Sequence, residues 1–201
     1  MKKIGLFFGT FNPIHNGHLM MANYIVNNTD ISTVLFVVNP TAPFKKKDNL
    51  LSFEDRMKMA VIATFTCKNN IQVTNMENDL PLPAYTYNTF RHCVKTYGEN
   101  SEFVLILGCD NLGKLSQWKN AAEIIENHEI YVCPRNGIDY NKEIDKIKNN
   151  FKVKAIHVVK DVPECNLSST FIRKQIKEGK DIKFYVPSDV KKYIENNKFY
   201  S

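Results

Sequence analysis

The sequence predicts an α/β fold in which a parallel sheet is covered by helices on both faces. Short apolar runs alternate with longer amphipathic runs along the chain, which is the pattern of repeated strand–helix–strand units. The apolar runs are continuous rather than alternating, as in parallel strands that are buried on both faces. No internal repeat or low-complexity linker interrupts the pattern, so residues 1–201 are expected to form one domain.

Six apolar runs are strand candidates, because they are rich in Val, Ile, Leu and Phe and end at Gly, Pro or polar residues. In chain order they are Ile4–Phe8, Val34–Val38, Ile71–Val73, Phe103–Leu107, Ile130–Cys133 and Ala155–Val159. Ligands of parallel sheets bind beyond the carboxyl ends of the strands, where strand order reverses. We therefore look for chemistry in the loops that follow the first, second and fourth runs.

Helices are predicted between the strands from the 3.6-residue period of their apolar positions. They include Thr86–Tyr97, Trp118–Asn127, Asn141–Asn149 and Ser169–Lys177. Ser168 or Ser169 is a natural N-cap for the last of these helices. The Pro-bearing segment Asn78–Ala84 is predicted to be a loop rather than a domain boundary.

The charge balance leaves several classes of partner open. Lys and Arg total 27 against 21 for Asp and Glu, so the formal net charge is +6, which suits nucleic acid, a membrane surface or a small polyanion. Lys is interspersed with Asn in residues 142–150 and 191–198, which is typical of solvated helix surface. We expect neither nucleic acid nor a membrane as a partner. A non-catalytic nucleic-acid-binding protein is the alternative of another class.

The cysteines and the first residues indicate the compartment. Five cysteines are widely spread without a C-x-x-C pair, so neither a zinc site nor a disulfide framework is expected. The apolar run after Met-Lys-Lys is too short for a signal peptide and leads directly into Gly9, Asn12 and Pro13. No stretch approaches the length of a membrane span. These observations predict reduced thiols and a cytoplasmic location.

A phosphate site is predicted directly after the first strand. The segment is Gly9-Thr10-Phe11-Asn12-Pro13-Ile14-His15-Asn16-Gly17-His18. Gly9 permits close approach of backbone to a ligand, and Pro13 stiffens the turn. His15 and His18 fall at the start of the next helix, where unpaired N–H groups and the helix dipole favour an anion. The two imidazoles can donate hydrogen bonds to phosphate oxygens.

This segment resembles the H-x-G-H signature of the nucleotidyltransferase superfamily. A second segment, Leu167-Ser168-Ser169-Thr170-Phe171-Ile172-Arg173, resembles the I-S-S-T-x-I-R motif of the same superfamily. In those enzymes the second motif holds the β- and γ-phosphates of ATP. An N-cap followed by a solvated Arg is the simpler interpretation of the second segment taken alone. Two motifs in the right order identify the chain as a member of the superfamily.

Three further segments resemble the bacterial nicotinate-mononucleotide adenylyltransferases. Asn39-Pro40-Thr41-Ala42-Pro43-Phe44-Lys45-Lys46-Lys47 is similar to a segment with P-P-H-K, and Ala84-Tyr85-Thr86-Tyr87-Asn88-Thr89 to S-Y-T-x-D-T. Leu107-Gly108-Cys109-Asp110, followed by Leu115 and Trp118, is similar to G-A-D…L…W. Asn88 replaces the usual acid, which weakens any role for that position. For Lys46 and Lys47, a flexible Lys-rich loop is an equally good interpretation.

The resemblance implies a set of site residues. The catalytic residues implied are His15, His18, Lys45 and Arg173. The ATP-binding residues implied are Gly9, Thr10, Phe11, Gly17, Gly108, Asp110, Arg135, Ser168, Ser169 and Thr170. The residues implied for the acceptor nucleotide are Asn39, Lys46, Arg56, Tyr85, Thr86 and Trp118. Trp118, the only tryptophan, offers a plane on which an electron-poor pyridinium ring can stack.

The resemblance implies a Rossmann-like sheet with a small helical C-terminal portion. The implied reaction joins AMP from ATP to nicotinate mononucleotide, or nicotinamide mononucleotide, giving the dinucleotide and pyrophosphate. Mg²⁺ is expected to arrive with ATP, because no carboxylate cluster suggests a dedicated metal site. Phosphopantetheine adenylyltransferases are the nearest alternative, but they usually have Thr in place of His15 and lack the G-x-D…W pattern. A homo-oligomer is possible.

One cysteine is a candidate for chemical reactivity. Cys109 stands where the related enzymes usually have Ala, beside Asp110 at the mouth of the fourth strand. An electropositive phosphate site favours the thiolate form, and the thiolate is the reactive species. We therefore predict that a thiol reagent modifies Cys109, with Cys165 beside the second motif as the alternative.

Overall fold

A computed structural model of the chain describes residues 1–40, 50–67, 70–98, 100–134, 138–163 and 165–201. All six predicted strands are present within one or two residues of their expected bounds, as β1 (Lys2–Gly9), β2 (Thr33–Val38), β3 (Ile71–Thr74), β4 (Ser101–Gly108), β5 (Glu129–Cys133) and β6 (Ala155–Val158). They form one sheet in the order β3-β2-β1-β4-β5-β6, and every neighbouring pair is parallel. The predicted Rossmann-like architecture is confirmed.

The strand order locates the crevice of the sheet. From β1 the chain proceeds outward through β2 to β3, and then returns to β4 on the other side of β1. The order therefore reverses between β1 and β4, which end at Gly9 and Gly108. This is the position at which sheets of this class bind ligands.

The helices cover both faces of the sheet. They are α1 (Asn16–Asn28), α2 (Phe53–Thr64), α3 (Thr86–Tyr97), α4 (Cys109–Leu112), α5 (Ala121–Asn127), α6 (Tyr140–Asn150), α7 (Ser169–Lys177) and α8 (Ser188–Asn196). The structure corrects the predicted helix Trp118–Asn127, which begins only at Ala121. Asn120 has the left-handed φ of 52°, so the chain before it cannot continue the helix. Trp118 therefore lies between a short 3₁₀ turn, Leu115–Gln117, and α5.

Two hydrophobic cores lie on opposite faces of the sheet. Successive strand residues point to opposite faces, so Leu6 joins one core and Phe7 the other. The first core includes buried residues of α1, α2, α7 and α8, and the second includes those of α3, α5 and α6. We refer to them as the α1–α8 core and the α3–α6 core.

All five cysteines lie within the described ranges, and none of them forms a disulfide there. Among the residues that the structure describes, no helix is both long enough and apolar enough to cross a membrane.

Candidate active site

Two stacked histidines occupy the start of α1. His15 is the N-cap residue and is only 2% exposed, while His18 follows in the first turn and is partly exposed. The backbone N–H of His15 donates to Nδ1 of His18 at 3.3 Å, and the two ring centroids lie 3.6 Å apart. Because Nδ1 of His18 accepts this hydrogen bond, the neutral ring carries its proton on Nε2. His18 can therefore donate from Nε2 to an anion at the helix start.

Packing explains why a glycine occurs at position 9 and an aromatic residue at position 11. A Cβ atom on Gly9 would lie 2.7 Å from the ring of Phe11, so this glycine makes room for an aromatic side chain rather than for a ligand. Phe11 is 2% exposed, and its ring meets that of His18 edge to face with centroids 5.0 Å apart. Phe11 supports His18 from the core. Contact of Gly9 or Phe11 with ATP, which only their backbone could make here, stays a prediction.

The second motif folds onto the loop that carries the first. Ser168 caps α7 by accepting from the backbone N–H of Phe171 at 3.2 Å, as predicted for the helix N-cap. Ser169 Oγ donates to the carbonyl oxygen of Pro13 at 2.8 Å. Arg173 donates from Nη1 to the carbonyl oxygen of Asn12 at 2.8 Å, and from Nη2 to Thr170 Oγ1 at 3.2 Å. The structure thus brings together two motifs that are far apart in the sequence.

Arg56 lies beneath this loop and holds its backbone. The residue is 1% exposed, and its guanidinium donates to four backbone carbonyl oxygens, those of Thr10, Asn39, Pro40 and Leu51, at 2.8–3.1 Å. Four of the five N–H donors of a guanidinium are therefore occupied within the protein. The predicted contact of Arg56 with the acceptor stays untested, and this geometry favours a structural role that ties the ends of β1 and β2 to the start of α2.

A buried carboxylate stands behind the end of β2. Glu77 is fully buried and accepts from Asn39 Nδ2 at 2.6 Å and from Thr89 Oγ1 at 2.8 Å. Burial raises the pKa of Glu77 to about 7, although both hydrogen bonds lower it. Glu77 fixes the amide of Asn39 and joins β2 to α3. Sequence reasoning missed it, because an acid in the polar run of residues 75–79 looks like part of a solvated turn.

The other residues predicted for the acceptor lie near α3 and the end of β4. Tyr85 is the N-cap residue of α3 and Thr86 its first residue. Trp118 is partly buried and packs against the α3–α6 core. Gly108 ends β4 and precedes α4, in which Asp110 is exposed. Lys45, Lys46 and Arg135 lie outside the described residues, so their roles stay predictions.

A cavity of about 570 Å³ adjoins the histidine pair. Its lining includes Gly17, Cys165, Phe171 and Phe184. A Cβ atom on Gly17 would lie 3.0 Å from Cys165 Sγ and 3.1 Å from His15 Nδ1. Glycine at this position lets the thiol and the imidazole lie this close to the start of α1, since a Cβ atom would require them to shift.

The two candidate cysteines differ in exposure. Cys109 is 1% exposed, whereas Cys165 is partly exposed at the cavity wall. Burial also raises the pKa of Cys93 to about 12, which makes that thiol unreactive. The geometry favours Cys165 over the predicted Cys109 as the reactive thiol.

Comparisons with known proteins identify the family of the chain. A model of the cytidylyltransferase-like family matches residues 6–175. A "Probable nicotinate-nucleotide adenylyltransferase" of Flavobacterium johnsoniae is 45% identical over 198 residues, which are 98% of each chain. The nicotinic acid mononucleotide adenylyltransferase of Plasmodium falciparum, complexed with NaAD, has the same fold, with a TM-score of 0.83 over 100% of this chain and 98% of that one at 21% identity. The chain therefore belongs to the cytidylyltransferase-like family and, within it, to the nicotinate-nucleotide adenylyltransferases.

Proposed function

We propose that this enzyme transfers AMP from ATP to the phosphate of nicotinate mononucleotide and releases pyrophosphate. The observation that carries the proposal is the junction of the two motifs at one loop. Arg173 and Ser169 reach the carbonyl oxygens of Asn12 and Pro13, directly before the His15–His18 pair. Imidazole, hydroxyl and guanidinium groups therefore belong to one assembly of the starts of α1 and α7, which suits a polyphosphate.

The reaction requires two things of the protein: correct positioning of the substrates and stabilisation of negative charge. The nucleophile is a phosphate monoester whose second pKa is about 6, so it is already largely anionic at neutral pH and needs no general base. The enzyme must hold it in line with the α-phosphorus of ATP and stabilise the charge that develops as pyrophosphate leaves. We assign this stabilisation to His15, His18 and Arg173, together with Lys45.

The acceptor is assigned to the other side of the crevice. Trp118 supplies a stacking plane for the pyridine ring. Polar groups come from Tyr85 and Thr86 at the start of α3 and from Asn39 after the end of β2. Lys46 is assigned to the acceptor as well. Gly108 and Asp110, at the end of β4, lie where ATP and the acceptor must meet and are assigned to ATP with Arg135. Gly17 and the segment Ser168–Thr170 bind ATP at the helix starts.

Magnesium is proposed to enter with ATP. No group of three or more His, Cys, Asp or Glu side chains that could hold a metal ion occurs within the described ranges. Around the loop the side chains are mainly cationic or hydrogen-bond donors, which fit phosphate oxygens better than a metal ion. Bound through the phosphates, Mg²⁺ would offset their negative charge. We place the enzyme in the cytoplasm, with no nucleic-acid or membrane partner.

A pyrophosphate-release assay tests the proposal. ATP is supplied with nicotinate mononucleotide, nicotinamide mononucleotide or phosphopantetheine in parallel reactions. We expect the fastest release with the nicotinate nucleotide and none with phosphopantetheine. Release with phosphopantetheine alone would assign the enzyme to coenzyme A synthesis instead. A salt-dependent shift of an oligonucleotide without any turnover of ATP would favour a nucleic-acid-binding protein.

A further inference from the structure

A tyrosine near the C-terminus contacts the loop between β1 and α1. We call this loop, residues 10–15, the phosphate loop after its proposed function. Tyr200 donates from its hydroxyl group to Asn12 Oδ1 at 2.7 Å. The ring is partly buried against the α1–α8 core, and the backbone of Tyr200 has a φ of 66°, a conformation that costs a non-glycine residue free energy. Such a conformation persists only where surrounding contacts hold it, so the position of this side chain is strongly specified.

Asn12 connects this contact with Arg173. The side chain of Asn12 accepts at Oδ1 from Tyr200 and from the backbone N–H of Leu51, at 2.7 and 3.3 Å. The carbonyl oxygen of the same residue accepts from Arg173 Nη1 at 2.8 Å. Asn12 is 5% exposed, so its polar atoms depend on protein partners. Losing the Tyr200 hydroxyl would remove the shorter of these two contacts at Oδ1 and so loosen the side chain that orients the peptide to which Arg173 is bound.

The phenol keeps its proton under working conditions. Burial raises the pKa of Tyr200 above its usual value, although the nearby guanidinium groups of Arg173 and Arg56 lower it. Tyr200 is therefore a permanent donor at neutral pH, and the contact does not vary with pH in that range.

We propose that Tyr200 is a positioning residue, which acts through Asn12 to set the phosphate loop and Arg173 for ATP. The inference rests on the proposed function of that loop. It predicts a larger effect on ATP than on the acceptor. Tyr200 bonds directly to Asn12, which bonds to Arg173, whereas its route to Asn39 passes through both Leu51 and Arg56.

The decisive variant is Tyr200→Phe, which removes the hydroxyl and keeps the ring. The matched control is Tyr193→Phe, which removes a hydroxyl that donates to Asp55 Oδ1 at 2.9 Å from the same part of the chain. We expect Tyr200→Phe to lower kcat/KM for ATP roughly 3- to 10-fold, the effect of one hydrogen bond. The KM for the acceptor should change less than about twofold, and Tyr193→Phe should leave both constants near their original values.

Two further measurements separate the possible outcomes. Calorimetric titration with ATP alone should show weaker binding by Tyr200→Phe even if nicotinate mononucleotide is not the acceptor, so failure of the proposed function is recognised separately. In an Asn12→Ala background, Tyr200→Phe should have no further effect on kcat/KM for ATP. Unchanged kinetics and unchanged ATP binding in Tyr200→Phe would overturn the proposal. An equal loss in Tyr193→Phe would also overturn it, because the effect would then reflect general loosening of the chain.

Discussion

The two halves of the crevice, which we proposed above to bind the phosphates of ATP and the acceptor, are built differently. The phosphate half, residues 9–18 with residues 168–173, is held by side chains that donate to backbone carbonyl oxygens, as Arg173 does to Asn12. The acceptor half, Asn39 with α3 and Trp118, contains one buried carboxylate, Glu77, as its link between strand and helix. Contacts to carbonyl oxygens do not titrate, whereas a carboxylate with a pKa of about 7 does. The comparison predicts that the contacts of Ser169 and Arg173 to carbonyl oxygens keep their geometry as pH changes, whereas the stability of the second half depends on pH.

The largest expected effect lies in the phosphate half. Replacing His18 by Ala removes the Nε2 donor at the helix start, and loss of such a donor lowers kcat by roughly 100- to 1,000-fold. The fold should survive, which thermal unfolding can verify. His157→Ala, at an exposed histidine of β6, serves as the control and should keep its turnover. Near-normal turnover by His18→Ala would remove this residue from the catalytic set.

The next effect lies in the acceptor half and depends on pH. Because the folded-state pKa of Glu77 is raised from 4.5 to about 7, the native state binds its proton more tightly than the unfolded chain does. The free energy of unfolding should therefore fall as pH rises from 4.5 to 7. Glu77→Gln does not titrate at this position. Its Oε1 can accept from Asn39 Nδ2, and its Nε2 can donate to Thr89 Oγ1, so the second hydrogen bond reverses its direction. Relative to the parent, it should gain about 2–3 kcal/mol between pH 4.5 and pH 8.

Urea unfolding of the parent and of Glu77→Gln at several pH values measures this difference. Thr89→Val is a useful control, since it removes one partner of Glu77 and leaves the carboxyl group in place. A stability difference between parent and Glu77→Gln that is the same at every pH would show that the carboxyl group titrates normally.

Trp118→Ala tests whether the acceptor half affects the binding of the pyridine nucleotide more than that of ATP. We expect the KM for the pyridine nucleotide to rise much more than that for ATP, since only the acceptor ring is proposed to stack on the indole. Stacking on an aromatic side chain is worth about 1–3 kcal/mol, or roughly a 5- to 150-fold change. Trp118→Phe should retain part of the affinity. Equal damage to both substrates, together with a lower melting temperature, would assign Trp118 to the core.

The smallest effect concerns the thiols. A thiol reagent should inactivate the enzyme through Cys165, which lines the cavity beside Gly17, and saturating ATP should protect it. Cys165→Ser should slow inactivation, whereas Cys109→Ala should be inactivated as fast as the parent, since Cys109 is 1% exposed. If Cys109→Ala resisted the reagent instead, Cys109 would be the reactive thiol, as the sequence alone predicts.

The apolar pattern and the motifs were enough to predict the strands, the helix Ser169–Lys177 and its N-cap. Each of these features depends on residues that are close together in the sequence. The pattern and the motifs did not reveal the late start of α5, which depends on the left-handed backbone of Asn120. Nor did they reveal the burial of Arg56 and Glu77, since both residues are buried by segments distant in the chain. A charged side chain that bonds to remote carbonyl or amide groups leaves no periodic signal. Contact of most predicted site residues with either nucleotide stays a prediction.

The division of the interior into two cores has a consequence for synthesis on the ribosome. The buried residues of the α3–α6 core all precede residue 148, so this face of the sheet can be covered while the rest of the chain is still being made. The α1–α8 core also needs Ile182, Val186, Val190 and Ile194. Until those residues emerge, the nascent chain therefore leaves exposed the apolar side of α2, against which α8 packs in the folded protein. Chaperones that act during translation would meet this enzyme on the face that carries its phosphate loop.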